Sequence, residues 1–283
     1  MSADTHKGPH ARLHTYSAGH TTSVAESVDE LWAARTIVRA FMVRSLRVRY
    51  RQALLGVVWA FAQPLALLVP LTIFVGDRTP RIEGIRYAAS TLAALVGWYY
   101  LSSAVTMGAG ALVAESMLVR KTWFPREAPV VAAVGGALVD LAIGTTMALI
   151  AGPMLGARLG VGLVVLPIAV VGLVVCAVAL ALPLAAMNAL YRDVRHALAF
   201  LVLLWLFASP VMYSVERVSG HWRRLYAALN PAVGPLDAFR RGLAHGTWPR
   251  WDLLGISMGS ALIIGSVGHW LFRRLAPTLP DVI

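Results

Sequence analysis

Few residues in this chain have the types and spacing that chemistry needs. The eight histidines do not cluster with acids at metal-ligand spacing. Four of them, His6, His10, His14 and His20, sit in a polar N-terminal stretch where solvated histidine needs no metal. There is no G-x-x-x-x-G-K-[ST] loop to cradle phosphates, no H-E-x-x-H and no G-x-S-x-G. The residues therefore predict no catalytic, cofactor-binding or metal-binding constellation. What remains is charge. Arg35, Arg39, Arg44, Arg47, Arg49 and Arg51 crowd into seventeen residues. Asp140 stands alone as the one acid well inside an apolar run. An acid in such a place is costly, and either functional or hydrogen-bonded to a neighbouring helix. The second reading is preferred, because no further ionisable partner at depth is evident for a proton relay.

The elements that must position these residues are membrane helices. The chain is 58% hydrophobic and only 14% charged, with mean hydropathy +0.68, whereas soluble domains carry about 25% charged residues. Cys176, the one cysteine, lies in an apolar run and forms no internal disulfide. The net charge of +11 reads as topological charge rather than a nucleic-acid footprint. A span needs about 20 mostly apolar residues. Six segments meet or approach that length: Leu54–Gly76, Tyr87–Val113, Ala128–Leu155, Val161–Leu190, Ala197–Val215 and Leu253–Leu271. Pro64, Pro70, Pro167, Pro183 and Pro210 lie inside them and predict kinks. Six arginines precede the first span and three follow it. This bias, with an even span count, predicts that both termini are cytoplasmic.

The expectation is an all-α polytopic membrane protein. Residues 1–28 would be a flexible cytoplasmic tail; they lack an apolar h-region and predict no signal peptide. Residues 29–51 would be an amphipathic helix lying in the cytoplasmic interface. On a helical wheel Leu31, Ala34, Ile37, Val38, Phe41, Met42 and Val48 fall on one arc, and all the arginines except Arg49 on the other. Six transmembrane helices would fill residues 52–275, with a short cytoplasmic tail over 276–283. The segment from Glu216 to Trp251 is too polar to span and too apolar for a plain loop. Its breaks at Asn230-Pro231 and Gly234-Pro235 suggest two short re-entrant helices between spans 5 and 6, with a simple external loop as the alternative. Aromatic residues within spans could stack on sugar rings or simply pack and anchor. Gly255 and Gly259 form a G-x-x-x-G face that could serve folding or dimerisation.

Three stretches, in order, resemble the permease subunit of bacterial ABC-2-type polysaccharide exporters. The first is Arg47-Val-Arg-Tyr50-Arg-Gln-Ala-Leu-Leu-Gly56-Val-Val-Trp59-Ala-Phe-Ala-Gln-Pro64, where Ala53 replaces the family's usual serine. The second is Val119-Arg-Lys121-Thr-Trp-Phe124-Pro125-Arg126-Glu127. The third is Asn188-Ala-Leu-Tyr191-Arg192-Asp193-Val-Arg195, followed by Ser209-Pro210-Val-Met-Tyr213 and Asn230-Pro231. The resemblance covers about residues 30 to 275 and implies an ATP-driven exporter of lipid-linked polysaccharide. Two permease chains as a homodimer would pair with two copies of a separate ATP-binding subunit. ATP and Mg would bind that partner, with no cofactor on this chain. Lys121, Phe124, Pro125, Arg126 and Glu127 would form a coupling helix docking on the ATPase, with Tyr191, Arg192, Asp193 and Arg195 as a second contact. Arg44, Arg47, Arg49 and Arg51 would frame the substrate entrance among membrane lipids. Trp59, Phe61, Trp205, Phe207 and Tyr213 would be channel aromatics, and Asn230 and Pro231 a periplasmic gate. The location implied is the bacterial inner membrane. The glycan stays open among O-antigen, teichoic acid, capsule and cell-wall polymers. Competing readings are an ABC-2 exporter of a drug or lipid, a proton-driven secondary transporter, and a polytopic membrane enzyme.

Overall fold

A computed structural model describes residues 24–51, 58–76, 78–122, 124–191 and 193–278. Within them the chain is almost entirely helical. Its one small sheet pairs Arg81–Ile82 (β1) with Ile85–Arg86 (β2). Glu83 and Gly84 turn this hairpin with φ of 48° and 80°. Glycine adopts that left-handed backbone freely, and Glu83 adopts it as a non-glycine residue.

The helix α4 (Tyr87–Ala114) is the axis of the molecule. Leu92, Leu95, Leu101 and Leu112 are fully buried although they lie on different faces, the pattern of a helix surrounded by others. Around it pack α3 (Val58–Leu71), α6 (Ala128–Gly136), α7 (Leu138–Met154), α8 (Leu166–Leu190), α9 (Asp193–Phe207) and α11 (Val233–Arg240). Small residues set the closest approach of α4 to α8. A Cβ on Gly108 would come within 2.7 Å of Ala181 Cβ. The last helix, α12 (Trp251–Leu275), lies along α8, α10 (Gly220–Leu229) and α11.

Among the described residues, four stretches are long and apolar enough to cross a membrane: Tyr87–Ala114, Ala128–Met154, Val161–Leu190 and Trp251–Leu275. They coincide with the second, third, fourth and sixth expected spans. The other two are shorter as described. The first contributes α3 and a π-helical continuation, Thr72–Gly76; residues 52–57 at its start lie outside the described set. The fifth departs from expectation. Its helix α9 ends at Phe207, and turns carry the chain through Ser209-Pro210. Proline lacks the amide a helix would need and biases its predecessor away from helical torsions. Fifteen residues rise only about 22 Å, less than a hydrocarbon core of about 30 Å.

At the N-terminal side the helix begins at Val24 rather than after residue 28. It is two helices, α1 (Val24–Ala33) and α2 (Arg35–Arg51). The expected interface helix over 29–51 is thus broken at Ala34, and residues 24–28 are helical rather than part of a tail.

Candidate functional site

The residues expected to carry function lie mostly toward the two ends of the helical bundle. At one end, α2 crosses α6, with Met42 and Ser45 seated over Gly135 and Gly136. The inward face of α2 runs through Val38, Phe41, Met42, Ser45, Leu46, Arg49 and Tyr50, a continuous three-and-four spacing. Val48, expected on the apolar arc, is 66% exposed, and Arg49, the wheel's exception, takes the inward place. Arg49 forms an ion pair with Asp140 of α7, and the Tyr50 hydroxyl donates to the same carboxylate. Burial and then this acceptor push the Tyr50 phenol up to about 12. Asp140 therefore has the ionisable partner that the sequence concealed. The outward arginines differ. Arg39, Arg44 and Arg47 line an open groove, and Arg44 also pairs with Glu115 at 2.8 Å. The Arg51 side chain lies outside the described set.

The loop after α5 (Ser116–Lys121) folds back against this platform. Lys121 and Thr122 are exposed, whereas Phe124, Pro125 and Glu127 are buried. The Phe124 ring packs on Phe41 of α2 with centroids 5.4 Å apart. Arg126 lies over the Phe124 ring and donates to the Val119 carbonyl at 2.5 Å. Glu127 meets Arg273, near the end of α12, at 2.6 Å. Arg273 also reaches Glu30 at 2.7 Å and the Ser27 hydroxyl at 2.9 Å on α1. Burial pushes the Glu127 carboxyl up, and the Arg273 charge works against that shift. One guanidinium thus joins α1, α12 and the loop. Of the five residues of this loop expected to touch a partner, three face the chain's own interior. Tyr191, Asp193 and Arg195 are exposed at the α8–α9 junction, while Arg192 lies outside the described set. Asn188, in the same motif, donates to the Ala109 carbonyl at 2.9 Å and ties α8 to α4.

At the opposite end Asn230 is a hub. It is 9% exposed. Its carbonyl oxygen accepts from Trp205 Nε1 at 3.0 Å and from the Ala232 amide at 3.1 Å. Its side-chain amide donates to the Ala208 carbonyl at 3.0 Å and to Ser209 Oγ at 3.1 Å. Trp205 also meets Trp98 edge-on at 5.0 Å. Tyr213 shares a hydroxyl contact of 3.0 Å with Tyr226 and donates to the Phe207 carbonyl at 3.3 Å. Trp205, Tyr213, Asn230 and the Ser209-Pro210 turn are therefore one assembly, beside buried Pro231. Trp59 and Phe207 are 53% and 59% exposed, and Phe61 is half-buried; the assembly reaches Phe207 only at its backbone carbonyl, through Tyr213.

Sequence reading missed the cluster next to this hub. Arg240 is fully buried and Asp237 is 1% exposed; they pair at 2.8 Å. Arg250 binds both Asp237 oxygens at 3.1 Å, and Glu83 at the hairpin turn meets Arg250 at 3.1 Å and Arg241 at 2.6 Å. Burial alone would raise the Glu83 carboxyl. The Ser214 hydroxyl and the charges of Arg250 and Arg240 outweigh it and hold the group at about 2. Burial, reinforced by Arg240, depresses His245 to about 4, and its ring nitrogen contacts Ser90 Oγ at 3.0 Å. The available signal was Asp237 and Arg240 three apart on an otherwise apolar helix.

The architecture defines a helical multi-pass membrane protein with a basic N-terminal helix and a braced loop at one end. A profile for the ABC-2 type transporter family matches residues 36–243. The chain belongs to that family. It is similar to the O-antigen export system permease protein RfbA of Myxococcus xanthus, 29% identical over 215 residues, 75% of this chain and 82% of that protein. Two proteins of that same name from Klebsiella pneumoniae are 20% and 21% identical, each covering 85% of this chain and 92% of the relative.

Proposed function

We propose that this chain is the channel-forming subunit of an ATP-driven exporter of lipid-linked polysaccharide. The observation that carries this reading is the loop around Lys121. Its exposed tip can meet a partner, while Phe124 and Glu127 are wedged against α2 and α12. A push on the tip therefore reaches the interface helix and the last helix together. The names of the relatives support a polysaccharide of the O-antigen type as cargo. Two copies of this chain would pair with two ATP-binding subunits, which carry ATP and Mg. Lys121, Arg126, Tyr191, Arg192, Asp193 and Arg195 would face that partner; Phe124, Pro125 and Glu127 would transmit its movement. ATP binding can drive the change only by favouring one conformation over the other.

In this reading the chain crosses the bacterial inner membrane six times, with α3 plus its continuation Thr72–Gly76, and α9 plus the turns through Ser209-Pro210, as the two shorter spans, and with both termini cytoplasmic. The helices α10 and α11 would be re-entrant from the periplasm. The outward arginines Arg44 and Arg47, with Arg51, suit a lipid diphosphate, because guanidinium engages phosphate oxygens bidentately.

The test is reconstitution with the co-purifying ATPase. Phe124→Ala combined with Arg126→Ala should abolish export while the permease remains in the membrane. Normal glycan export by that double variant would remove the loop from the coupling path.

A further inference from the structure

A cavity of about 300 Å³ opens between α2, α3, α4 and α7. Its walls carry the Arg49–Asp140 pair, Trp59 and Gln63 of α3, and Tyr99 and Ser103 of α4. The geometry points to a binding subsite for a single neutral sugar ring of the transported glycan. The inference deepens the export reading and rests on it.

Three features select that ligand chemistry. The first is charge. Arg49 and Asp140 neutralise one another, and their side chains keep 26% and 24% exposure. A phosphate entering here would bring its negative charge against the Asp140 carboxylate, a repulsion that a low-dielectric site strengthens. A neutral polyol adds no charge to be compensated. The second is hydrogen-bonding form. Carboxylate, guanidinium and primary amide are planar groups offering paired donors or acceptors, which match neighbouring hydroxyls on a pyranose. Ser103 adds a hydroxyl. The third is the aromatic wall. Trp59 and Tyr99 present flat apolar faces, on which the C–H face of a sugar ring can lie. An acyl chain would use these rings but would leave the ion pair and Gln63 desolvated and unmatched, which is costly. The volume is at the small end for ligand sites, so it suits one ring rather than a chain of them.

The α2 helix then divides the cargo. Its outward arginines are placed for a charged headgroup, and its inward Arg49 and Tyr50 for a sugar. Ionisable groups within membrane helices characteristically pair and border a cavity, and here the pair forms part of the cavity wall.

A photoreactive benzophenone side chain, introduced as p-benzoylphenylalanine at Tyr99, tests this in cells making the glycan. Matched chains carry it at Phe207 and at Ile150, which is 69% exposed on α7. The expected result is a periodate-stainable carbohydrate adduct at Tyr99 and none at Ile150. Gln63→Leu should lower the Tyr99 adduct about threefold, within the worth of one hydrogen bond, with chain abundance unchanged. A carbohydrate-free lipid adduct at Tyr99, with carbohydrate captured at Phe207, would overturn the subsite and leave the export reading standing. No carbohydrate adduct at any of the three positions would overturn both.

Discussion

Asn230 shows what one polar side chain can hold together. Its four hydrogen bonds join α9, the Ser209-Pro210 turn and the start of α11. Asn230→Ala leaves several buried partners unmatched, at about 1–3 kcal/mol for each group left unsatisfied. A fall in thermal stability in detergent would measure it. Trp205→Phe should be milder, near 1 kcal/mol, because a ring still faces Trp98 and only the indole bond is lost. Glu83 makes a prediction in pH. Its folded value of about 2 lies below the ordinary 4.5. A depressed carboxyl contributes stability above its unfolded value and loses it as pH falls through the folded one. The hairpin clamp should therefore be constant from about pH 5 to 8 and loosen between about pH 4.5 and 2. Protease cleavage near residue 217, followed against pH, reads this; Glu83→Gln should cleave readily even at neutral pH.

At the scale of elements, Arg273 is the residue through which α12, α1 and the loop at Glu127 are joined. Arg273→Ala leaves Glu127 buried without its counter-charge, and breaking such a pair costs about 3–5 kcal/mol. The expected phenotype is ATP hydrolysis that no longer tracks export. Arg273→Lys, which keeps a cation beside both Glu127 and Glu30, should retain part of the coupling that Arg273→Ala loses. The helix contact between α4 and α8 makes a simpler prediction. Gly108→Val must displace Ala181, since even a Cβ lies at 2.7 Å; overpacking of this kind costs about 1–3 kcal/mol. Helix identity was legible from sequence wherever an apolar run exceeded the width of a bilayer, as in α4 and α8. The early end of α9 was less legible. Ala197–Val215 is apolar enough to be counted as a span with a kink at Pro210, whereas the packing around Asn230 accompanies a turn there.

At the scale of the molecule, the faces of α3 with its Thr72–Gly76 continuation, and of α9, remain open in a single chain. Val69, Phe74, Phe200 and Phe207 are all more than half exposed. In the proposed homodimer these faces meet lipid, glycan or the second copy. Cysteines placed singly at Phe200 or Phe207, with Cys176→Ser as background, should form disulfide-linked dimers in membranes; Ile150→Cys should not. A monomer throughout would remove the homodimer from the reading. Gly255 and Gly259 have open space beside them, so the G-x-x-x-G face does not pack against the described residues of this chain. Composition and charge order alone determined the class of this protein, because lipid demands long apolar helices and a charge bias at their ends. The short motifs alone led to the family. Which charges pair was decided only by the tertiary structure. Arg49 and Asp140 are 91 positions apart, Arg273 and Glu30 243, and Glu83 and Arg241 158. No local periodicity encodes such a meeting; helix packing brings the groups together, and the cost of burying a lone charge then holds them paired.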